Sequence, residues 1–320
     1  MLLRPRPPFD FSATLRFVLS PPALVNGRSF PPLLDYFQDG EYRRVIDVGG
    51  RHVLYGVSES RSANATALRI RILAGPDSAA IRQAIRSAVA RQFSTELDLE
   101  PFHSMVKTEC VLASIANRFR GLRIPQALST YECVVSSILE QQVNFTFAYQ
   151  VKSALIQTYG AAVNFQGQKY RAFPEPSVLA SVTPHELRAL QISGPKARYI
   201  IGVSQATAAG SADFEKLRLL PAALAQASLL EHKGVGPWTA GYVGLRALGH
   251  LDCLPSSEVG LQKAIQYFYR LRQQPAASRV EHLAKKWAGW RSYATFYLWM
   301  TLWEGPEWKK GLLDEIYPAG

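Results

Sequence analysis

The residues whose types and spacing best suit catalysis lie between Leu229 and Ile265. The segment Gly234-Val235-Gly236-Pro237 places two glycines in three positions, and one carboxylate, Glu258, follows Trp238 by twenty residues. Glycine adopts positive φ and lets backbone N–H groups approach a partner without a Cβ in the way, so this turn suits a phosphate oxygen. The same glycines also fit an ordinary turn between two helices, because short glycine motifs match by accident. The turn and the carboxylate together suggest chemistry on DNA bases.

The charge of the chain favours a polyanionic partner. The 320 residues are 48% hydrophobic, carry a formal net charge of +11 and have a pI near 9.6. A surplus of this size attracts nucleic acid at long range, although it also occurs in basic enzymes that bind none. The length and hydrophobic content predict a globular chain of two domains or three small ones.

The cysteines and the apolar segments exclude several classes of protein. The three cysteines are far apart and odd in number, so we expect neither a disulfide framework nor a zinc or iron–sulfur site. The histidines form no metal-ligand spacing either. No segment is apolar over the length of a signal peptide or a membrane span. The sequence therefore predicts a cytoplasmic protein that does not enter the membrane.

The first part of the chain, residues 1–100, reads as a small α+β domain. Stretches rich in β-forming residues are separated by Gly, Pro, Asn and Ser clusters, as in antiparallel sheets. The predicted strands are Ser12–Leu19, Tyr42–Asp47, His52–Ser58 and Ala67–Leu73. Apolar spacing of three and four residues predicts a short helix around Pro31–Phe37 and a longer one over Ala79–Phe93.

The remainder, residues 101–320, reads as an all-helical domain with the glycine hairpin at about 229–248. Helical periodicity recurs between short Gly- and Pro-marked turns, and no internal repeat is found. The predicted helices are Leu99–Asn117, Thr130–Tyr159, Ser177–Ser181, Pro184–Leu190, Pro195–Ala209, Pro221–His232, Pro237–Leu248, Ser257–Tyr269, Ala277–Trp287 and Trp290–Trp303.

Several stretches in the same order resemble the helix-hairpin-helix base-excision DNA glycosylases, and within them the AlkA-type 3-methyladenine DNA glycosylases II. The matching stretches are RFRGLRIPQALSTYECVVSSILEQQV (Arg118–Val143), LRALQISGPKARYI (Leu187–Ile200), GVGPWTAGYVGLRALG (Gly234–Gly249) and WAGWRSYATFYLW (Trp287–Trp299). GEYRRVI (Gly40–Ile46) is similar to the family's N-terminal domain. Ordered motifs of this kind are much more specific than one glycine turn.

The resemblance implies a cleft between helical subdomains, in which the hairpin grips the DNA backbone beside a damaged nucleotide. Gly234 and Gly236 then lie at the phosphate, and carbonyls near His232 and Gly234 hold a monovalent Na⁺ or K⁺ ion; no other cofactor is expected. Such enzymes flip the damaged nucleotide out of the duplex and fill the gap with a wedge. Gln142 matches the wedge position, although it also fits the exposed end of a helix.

The resemblance also implies an aromatic base pocket. Alkylation leaves 3-methyladenine and 7-methylguanine positively charged, and a cation is attracted to a ring face by about 0.5–2 kcal/mol. Trp238, Tyr242 and Trp299 match the pocket positions. The other aromatic residues of the last helices are expected in the core, because large aromatic side chains usually pack there; these are Trp287, Trp290, Tyr293 and Trp303.

Glu258 matches the catalytic position, but the family carries aspartate there. A carboxylate at this place stabilises the sugar's oxocarbenium character or orients a water. Glutamate moves the charge one methylene further out, and a displacement of about 1 Å can cost about 100-fold in rate. An ordinary alternative for Glu258 is a glutamate in the first turn of a helix. Asp252 matches a second family aspartate, for which we expect a local capping role.

The strand-cleaving relatives use a lysine amine where this chain has Trp238, so the resemblance implies a monofunctional enzyme that uses water. Lys233 and Lys263 are the first candidates for phosphate contacts, followed by Lys196 and Arg291.

The function predicted from these residues is hydrolysis of the N-glycosidic bond of alkylated bases in double-stranded DNA by a monomer. The bases are 3-methyladenine and, as a second candidate, 7-methylguanine. The alternative is a DNA-binding relative in which the change from aspartate to Glu258 has abolished hydrolysis.

Overall fold

A computed structural model describes residues 1–19, 31–62 and 65–318. Its N-terminal part is an antiparallel sheet of five strands in the order β1-β5-β4-β3-β2. The strands are β1 (Leu2–Leu3), β2 (Tyr36–Gln38), β3 (Glu41–Asp47), β4 (His52–Ser62) and β5 (Ala65–Ala74). Two helices, α1 (Phe11–Leu19) and α2 (Ala79–Gln92), cover the sheet. The predicted α+β class is confirmed, as are the three strands within 42–73 and the helix over Ala79–Phe93.

The predicted helix around Pro31–Phe37 is wrong, because its end forms β2. Tyr36 pairs with Arg43 and Gln38 with Glu41 across a two-residue turn, Asp39-Gly40, whose φ angles are +52° and +74°. Asp-Gly with both residues at positive φ is the turn that matches the twist of an antiparallel hairpin. The turn chemistry therefore outweighs the apolar spacing of the preceding residues.

The predicted strand Ser12–Leu19 is also wrong, because these residues form α1. Asp10 caps this helix: its Oδ1 accepts the backbone N–H of Ala13 at 2.8 Å, and its carbonyl accepts the Thr14 hydroxyl at 2.7 Å. Phe11, Thr14 and Leu15 are buried on one face, which is the three- and four-residue spacing of a helix. The N-cap and the burial pattern outweigh the β propensity of the Thr and Val residues.

From residue 100 onward the described chain is mainly helical. Its α-helices are α3 (Glu100–Val106), α4 (Cys110–Arg118), α5 (Thr130–Glu140), α6 (Phe145–Tyr159), α7 (Pro176–Ser181), α8 (Pro184–Ala189), α9 (Gly194–Ala208), α10 (Ala222–Leu230), α11 (Pro237–Val243), α12 (Val259–Phe268), α13 (Ala277–Leu283), α14 (Arg291–Met300) and α15 (Pro306–Ile316). A π-helix, Gly244–Leu248, continues α11. Short 3-10 turns lie at Lys216–Leu219, Ala284–Trp287 and Thr301–Trp303.

The predicted helices are found, with two exceptions in their continuity. Leu99–Asn117 is divided into α3 and α4, and Thr130–Tyr159 into α5 and α6, where Asn144 caps the second helix by accepting the Phe147 N–H at 2.9 Å. The small hairpin of β6 (Ala162–Phe165) and β7 (Gln168–Arg171), and helix α15, were not predicted. The division of the chain at residue 100 stays a prediction.

The helices form two hydrophobic cores. One joins α3 and α4 to the last four helices, and it includes Phe102, Trp287 and Tyr297. The other joins α5 to α11 and includes Val134 and Leu229. Tyr242, on α11, packs against both. None of the helices in the described part of the chain has the length and apolar character needed to cross a bilayer.

Candidate active site

The glycine hairpin connects α10 to α11, as predicted from the sequence. Gly234 has a φ of +90°, and a Cβ at this position would collide with the ring of Tyr199 on α9. Gly236 has a φ of −98°, and a Cβ at this position would meet no atom within 4 Å. Because glycine has no side chain, the backbone here stays accessible to a partner. Pro237 begins α11, whose first N–H groups have no partner within the helix. The hairpin thus presents backbone N–H groups, and Lys233 beside it is exposed.

The end of α5 is bound to this hairpin by Gln141. Its Nε2 donates to the Gly234 carbonyl at 2.8 Å and to the Thr239 hydroxyl at 3.0 Å. The next residue, Gln142, is exposed and has a φ of +52°, a left-handed conformation that is uncommon outside glycine. The wedge candidate therefore projects from a fixed point beside the hairpin. Gln141 was not among the predicted site residues, although the repeated glutamine in the sequence marks this point.

Lys196, a secondary candidate for a phosphate contact, has another role. Its Nζ donates to the carbonyls of Leu139 and Gln141 at 2.8 and 2.6 Å, so it caps the C-terminus of α5. Burial lowers the pKa of Lys196. Arg291 is likewise occupied by Asp252. The first candidates, Lys233 and Lys263, are both exposed.

The three predicted pocket aromatics lie together. Trp238 and Tyr242 are one helical turn apart on α11, and their rings are stacked with centroids 5.4 Å apart. The Tyr242 ring lies 6.0 Å from that of Trp299, which comes from α14. All three line a cavity of about 620 Å³ between the sheet and the helices. Trp287 and Tyr293 are buried in the core as expected, whereas Trp303 also lines the cavity, as do Phe17 and Phe145.

Glu258 lies at the start of α12 and lines the same cavity. Its Oε2 accepts the backbone N–H of Leu261, which caps the helix, and the indole Nε1–H of Trp299 at 2.7 Å. Within the described residues, the other oxygen, Oε1, accepts no hydrogen bond. Gly260 leaves room for the carboxylate, because a Cβ there would lie 3.0 Å from Oε2 and 3.1 Å from Oε1. Glu258 therefore both caps a helix and lines the cavity, so the two interpretations of this residue do not exclude each other.

Asp252 precedes Glu258 on the same loop, and both of its carboxylate oxygens are hydrogen-bonded to residues outside the cavity. Its Oδ1 accepts the backbone N–H groups of Gly289 and Arg291 at 2.9 and 3.3 Å, and the Arg291 guanidinium binds both carboxylate oxygens at 2.7 and 2.5 Å. Burial by itself would raise the pKa of Asp252, but the hydrogen bonds and charge of Arg291 outweigh burial and lower it. This is the local capping role expected from the sequence.

The sheet contributes an ion-pair cluster to the cavity. Arg44, on β3, binds Asp35 at 2.6 Å and both carboxylate oxygens of Glu132 on α5 at 2.7 and 2.6 Å. The Arg44 and Glu132 side chains are 4% and 9% exposed, so the pair is shielded from water and joins the sheet to α5. The stretch Gly40–Ile46 resembles the family's N-terminal domain, but its sequence gives no sign of this contact.

The cavity has little net charge in a strongly basic chain. Its described lining contains four carboxylates and three cationic side chains, which gives a formal charge of −1: Asp35, Glu132, Glu140, Glu258, Arg44, Lys152 and Arg246. The whole chain carries +11. A cationic base is therefore not repelled by the pocket that would receive it, while the exposed surface attracts phosphates.

The described residues place one group of potential metal ligands away from this cavity. Asp47, His52 and Glu175 have ligand atoms within 4.8 Å of one another, but they line neither the hairpin nor the cavity. At the hairpin itself, the carbonyl of His232 accepts the Val235 N–H at 3.0 Å and that of Gly234 accepts Gln141. Each carbonyl oxygen keeps a second lone pair, so the hairpin is compatible with a small cation.

Comparison with known proteins identifies a family. Residues 135–289 match the family described as "HhH-GPD superfamily base excision DNA repair protein". A protein named DNA-3-methyladenine glycosylase from Bacillus subtilis is 33% identical over 221 residues, which cover 69% of this chain and 73% of the relative.

Two solved structures share the fold. The 3-methyladenine DNA-glycosylase from Archaeoglobus fulgidus has a TM-score of 0.79 and 22% identity, and the match covers 93% of this chain and 97% of that one. The 3-methyladenine DNA glycosylase of Schizosaccharomyces pombe, solved in complex with abasic DNA, has a TM-score of 0.50 and 22% identity over 67% of this chain and 96% of that one. With the family match and the B. subtilis relative, the chain belongs to the HhH-GPD superfamily of base excision DNA repair proteins, among the AlkA-type DNA-3-methyladenine glycosylases.

Proposed function

We propose that this protein is a monofunctional DNA glycosylase that uses Glu258 to hydrolyse the N-glycosidic bond of alkylated bases, with 3-methyladenine and 7-methylguanine as substrates. The observation that carries the proposal is the hydrogen bond of 2.7 Å between Glu258 and Trp299. It joins the carboxylate that caps α12 to the aromatic wall that would hold the base. Names of relatives support the same activity.

Glu258 would stabilise positive charge on the sugar or orient the attacking water. Its two hydrogen-bond donors are neutral, so its negative charge is not cancelled by an ion pair. Capping turns the longer glutamate side chain back onto its own helix, which offsets part of the extra methylene relative to aspartate. This geometry favours the catalytic interpretation over the impaired relative, since an alkylated base is already a good leaving group.

DNA is the partner of this superfamily, and we propose that the hairpin binds it through the backbone near Gly234 and Gly236. Lys233 and Lys263 would contact phosphates, and Gln142 would fill the gap left by the flipped nucleotide. The absence of lysine at Trp238 supports hydrolysis without strand cleavage. The expected place of action is the cytoplasm, where a bacterial chromosome lies.

A monovalent cation at the hairpin and a monomeric state belong to the same proposal. Carbonyls near His232 and Gly234 would hold Na⁺ or K⁺, which would add positive charge beside the bound phosphate. Replacing these ions with a bulky organic cation at equal ionic strength is expected to weaken DNA binding. Equal affinity in both salts would contradict an ion at this place.

The test is release of free 3-methyladenine and 7-methylguanine from alkylated duplex DNA by the wild-type protein, Glu258→Gln and Glu258→Asp. Glutamine keeps the helix cap but removes the charge, so release should fall by roughly 100-fold or more while DNA binding is retained. Strand cleavage at the abasic product should be absent. Release restored only by Glu258→Asp, with none by the wild type, would establish the impaired relative instead.

A further inference from the structure

The inner part of the cavity contains a polar group that the proposed hydrolysis does not use. Ser136 and Glu140 are one turn apart on α5, and Arg246 approaches from the π-helix after α11; all three line the cavity. We name these three residues the inner polar cluster. Tyr242 lines the same cavity, and burial raises the pKa of its phenol; the charge of Glu140 raises this pKa further, whereas the charge of Arg246 opposes the rise.

Several polar atoms of the inner polar cluster have no hydrogen-bond partner among the described residues. Nε and Nη1 of Arg246 and the Ser136 hydroxyl are buried and form no hydrogen bond with the described residues. Glu140 likewise forms no hydrogen bond or ion pair with a described residue, although burial raises its pKa and the charges of Lys152 and Arg246 oppose that rise. Buried polar groups are nearly always paired, so a donor and an acceptor facing one cavity indicate a ligand with the complementary pattern.

The position of Arg246 is fixed by its neighbours. Its guanidinium lies 4.4 Å from the ring centroid of Phe17 on α1, a cation–π contact, and it also interacts with the Tyr242 phenol. Glu140 ends α5 directly before Gln141, which binds the hairpin. The donor and the acceptor are therefore held at the cavity by two elements, the π-helix and α5, that do not depend on a substrate.

We propose that the inner polar cluster reads the edge of the flipped base and selects a methylated adenine, with Glu140 accepting from the exocyclic amino group and Arg246 donating to an adjacent ring nitrogen. Adenine presents an amino donor at C6 between two ring-nitrogen acceptors, whereas guanine presents a carbonyl oxygen at C6. In the same pose, that oxygen would face the Glu140 oxygens with no proton between them. This inference rests on the proposed function and names the base that the site prefers.

The first experiment compares release of 3-methyladenine and 7-methylguanine from the same methylated DNA by the wild type, Glu140→Met and Glu140→Gln. A hydrogen bond to a charged group contributes roughly tenfold to 100-fold in selectivity, so Glu140→Met should lower 3-methyladenine release by about tenfold or more. Release of 7-methylguanine should change by less than about twofold. Glu140→Gln keeps an acceptor oxygen and should retain most of the preference. Glu307→Gln, an exposed carboxylate outside the cavity, is the charge-matched control.

A second readout does not need hydrolysis. Binding of free 3-methyladenine and of free 7-methylguanine is followed by quenching of tryptophan fluorescence, since Trp238 and Trp299 line the cavity. Weaker binding of 3-methyladenine alone, in both Glu140→Met and Arg246→Met, would support the inference. Equal losses for the two bases, or no loss in a folded variant, would overturn it. Absence of base release by the wild type with selective binding intact would instead contradict the proposed function.

Discussion

Asp252 and Glu258 lie on one loop, six residues apart, and each binds backbone N–H groups at the start of a helix. Their surroundings differ. Both oxygens of Asp252 are bound by the Arg291 guanidinium, and the residue does not line the cavity. Glu258 is bound through one oxygen by two neutral donors and faces the cavity aromatics.

The difference shows how one type of residue serves two purposes. A carboxylate paired with a guanidinium is neutralised, so it stabilises the loop but offers no charge to a substrate. A carboxylate held by neutral N–H donors is oriented while it keeps its charge, which is the requirement for stabilising a cationic transition state. Whether each carboxylate has a structural or a chemical role therefore depends on its partner more than on its helix-capping position.

The comparison is tested most severely by Gly260→Ala. A Cβ there would lie 3.0–3.1 Å from both Glu258 oxygens and from Leu302 Cδ1, so the carboxylate must shift. Since a displacement of about 1 Å can cost about 100-fold, we expect a loss of roughly tenfold in base release for a smaller shift. The melting temperature should change by only a few degrees, because the higher helix propensity of alanine offsets a weaker Glu258 cap. Gly202→Ala on α9, where a Cβ meets no atom within 4 Å, is the matched control and should keep full activity.

Trp299→Phe should have the next largest effect. It removes the indole N–H that donates to Glu258 at 2.7 Å and keeps an aromatic ring in the cavity. We expect base release to fall by about three- to tenfold, the range of one ordinary hydrogen bond. The same substitution in a Glu258→Ala background should add little. If Trp299→Phe lowers base release by the same factor in both backgrounds, Trp299 acts by contact with the base and not through Glu258.

Asp252→Asn should affect stability more than activity. Asparagine still caps α14 but loses the ion pair with Arg291. In the wild type, the side chains of Asp252 and Arg291 are 34% and 37% exposed. Solvent screening limits that pair to about 1 kcal/mol, so the melting temperature should fall by about 1–3 °C. Base release at a permissive temperature should stay within about twofold of the wild type. A loss as large as that of Glu258→Gln would invalidate the comparison.

The smallest effect is the pH dependence of the same pair. The pKa of Asp252 is lowered in the folded protein, so its contribution to stability is present above the unfolded pKa of about 3.9 and is lost as pH falls through the folded pKa. The difference in melting temperature between the wild type and Asp252→Asn should be constant from about pH 7 to 5 and shrink below about pH 4. A difference that grows on acidification would contradict this sign.

Local sequence signals explain most of the elements that were predicted correctly. They also explain why two predicted elements are wrong. The helix over Ala79–Gln92 follows from apolar spacing, and Ser78 caps it. The predicted strand Ser12–Leu19 forms a helix because the cap at Asp10 outweighs the β propensity of its residues, and the predicted helix Pro31–Phe37 ends in β2 because of the Asp39-Gly40 turn. Both deciding signals are local and are present in the sequence.

The site divides differently. The sequence by itself determined the turn at Gly234, the spacing of Trp238 and Tyr242 on one helical face, and the position of Glu258 at a helix start, because each depends on residues within one or two turns. Only the tertiary structure decided that Trp299 binds Glu258, that Gln141 binds the hairpin, and that Glu140 and Arg246 share a cavity. These partners are 41 to 106 residues apart, and they meet because the two helical cores and the sheet pack around one cleft.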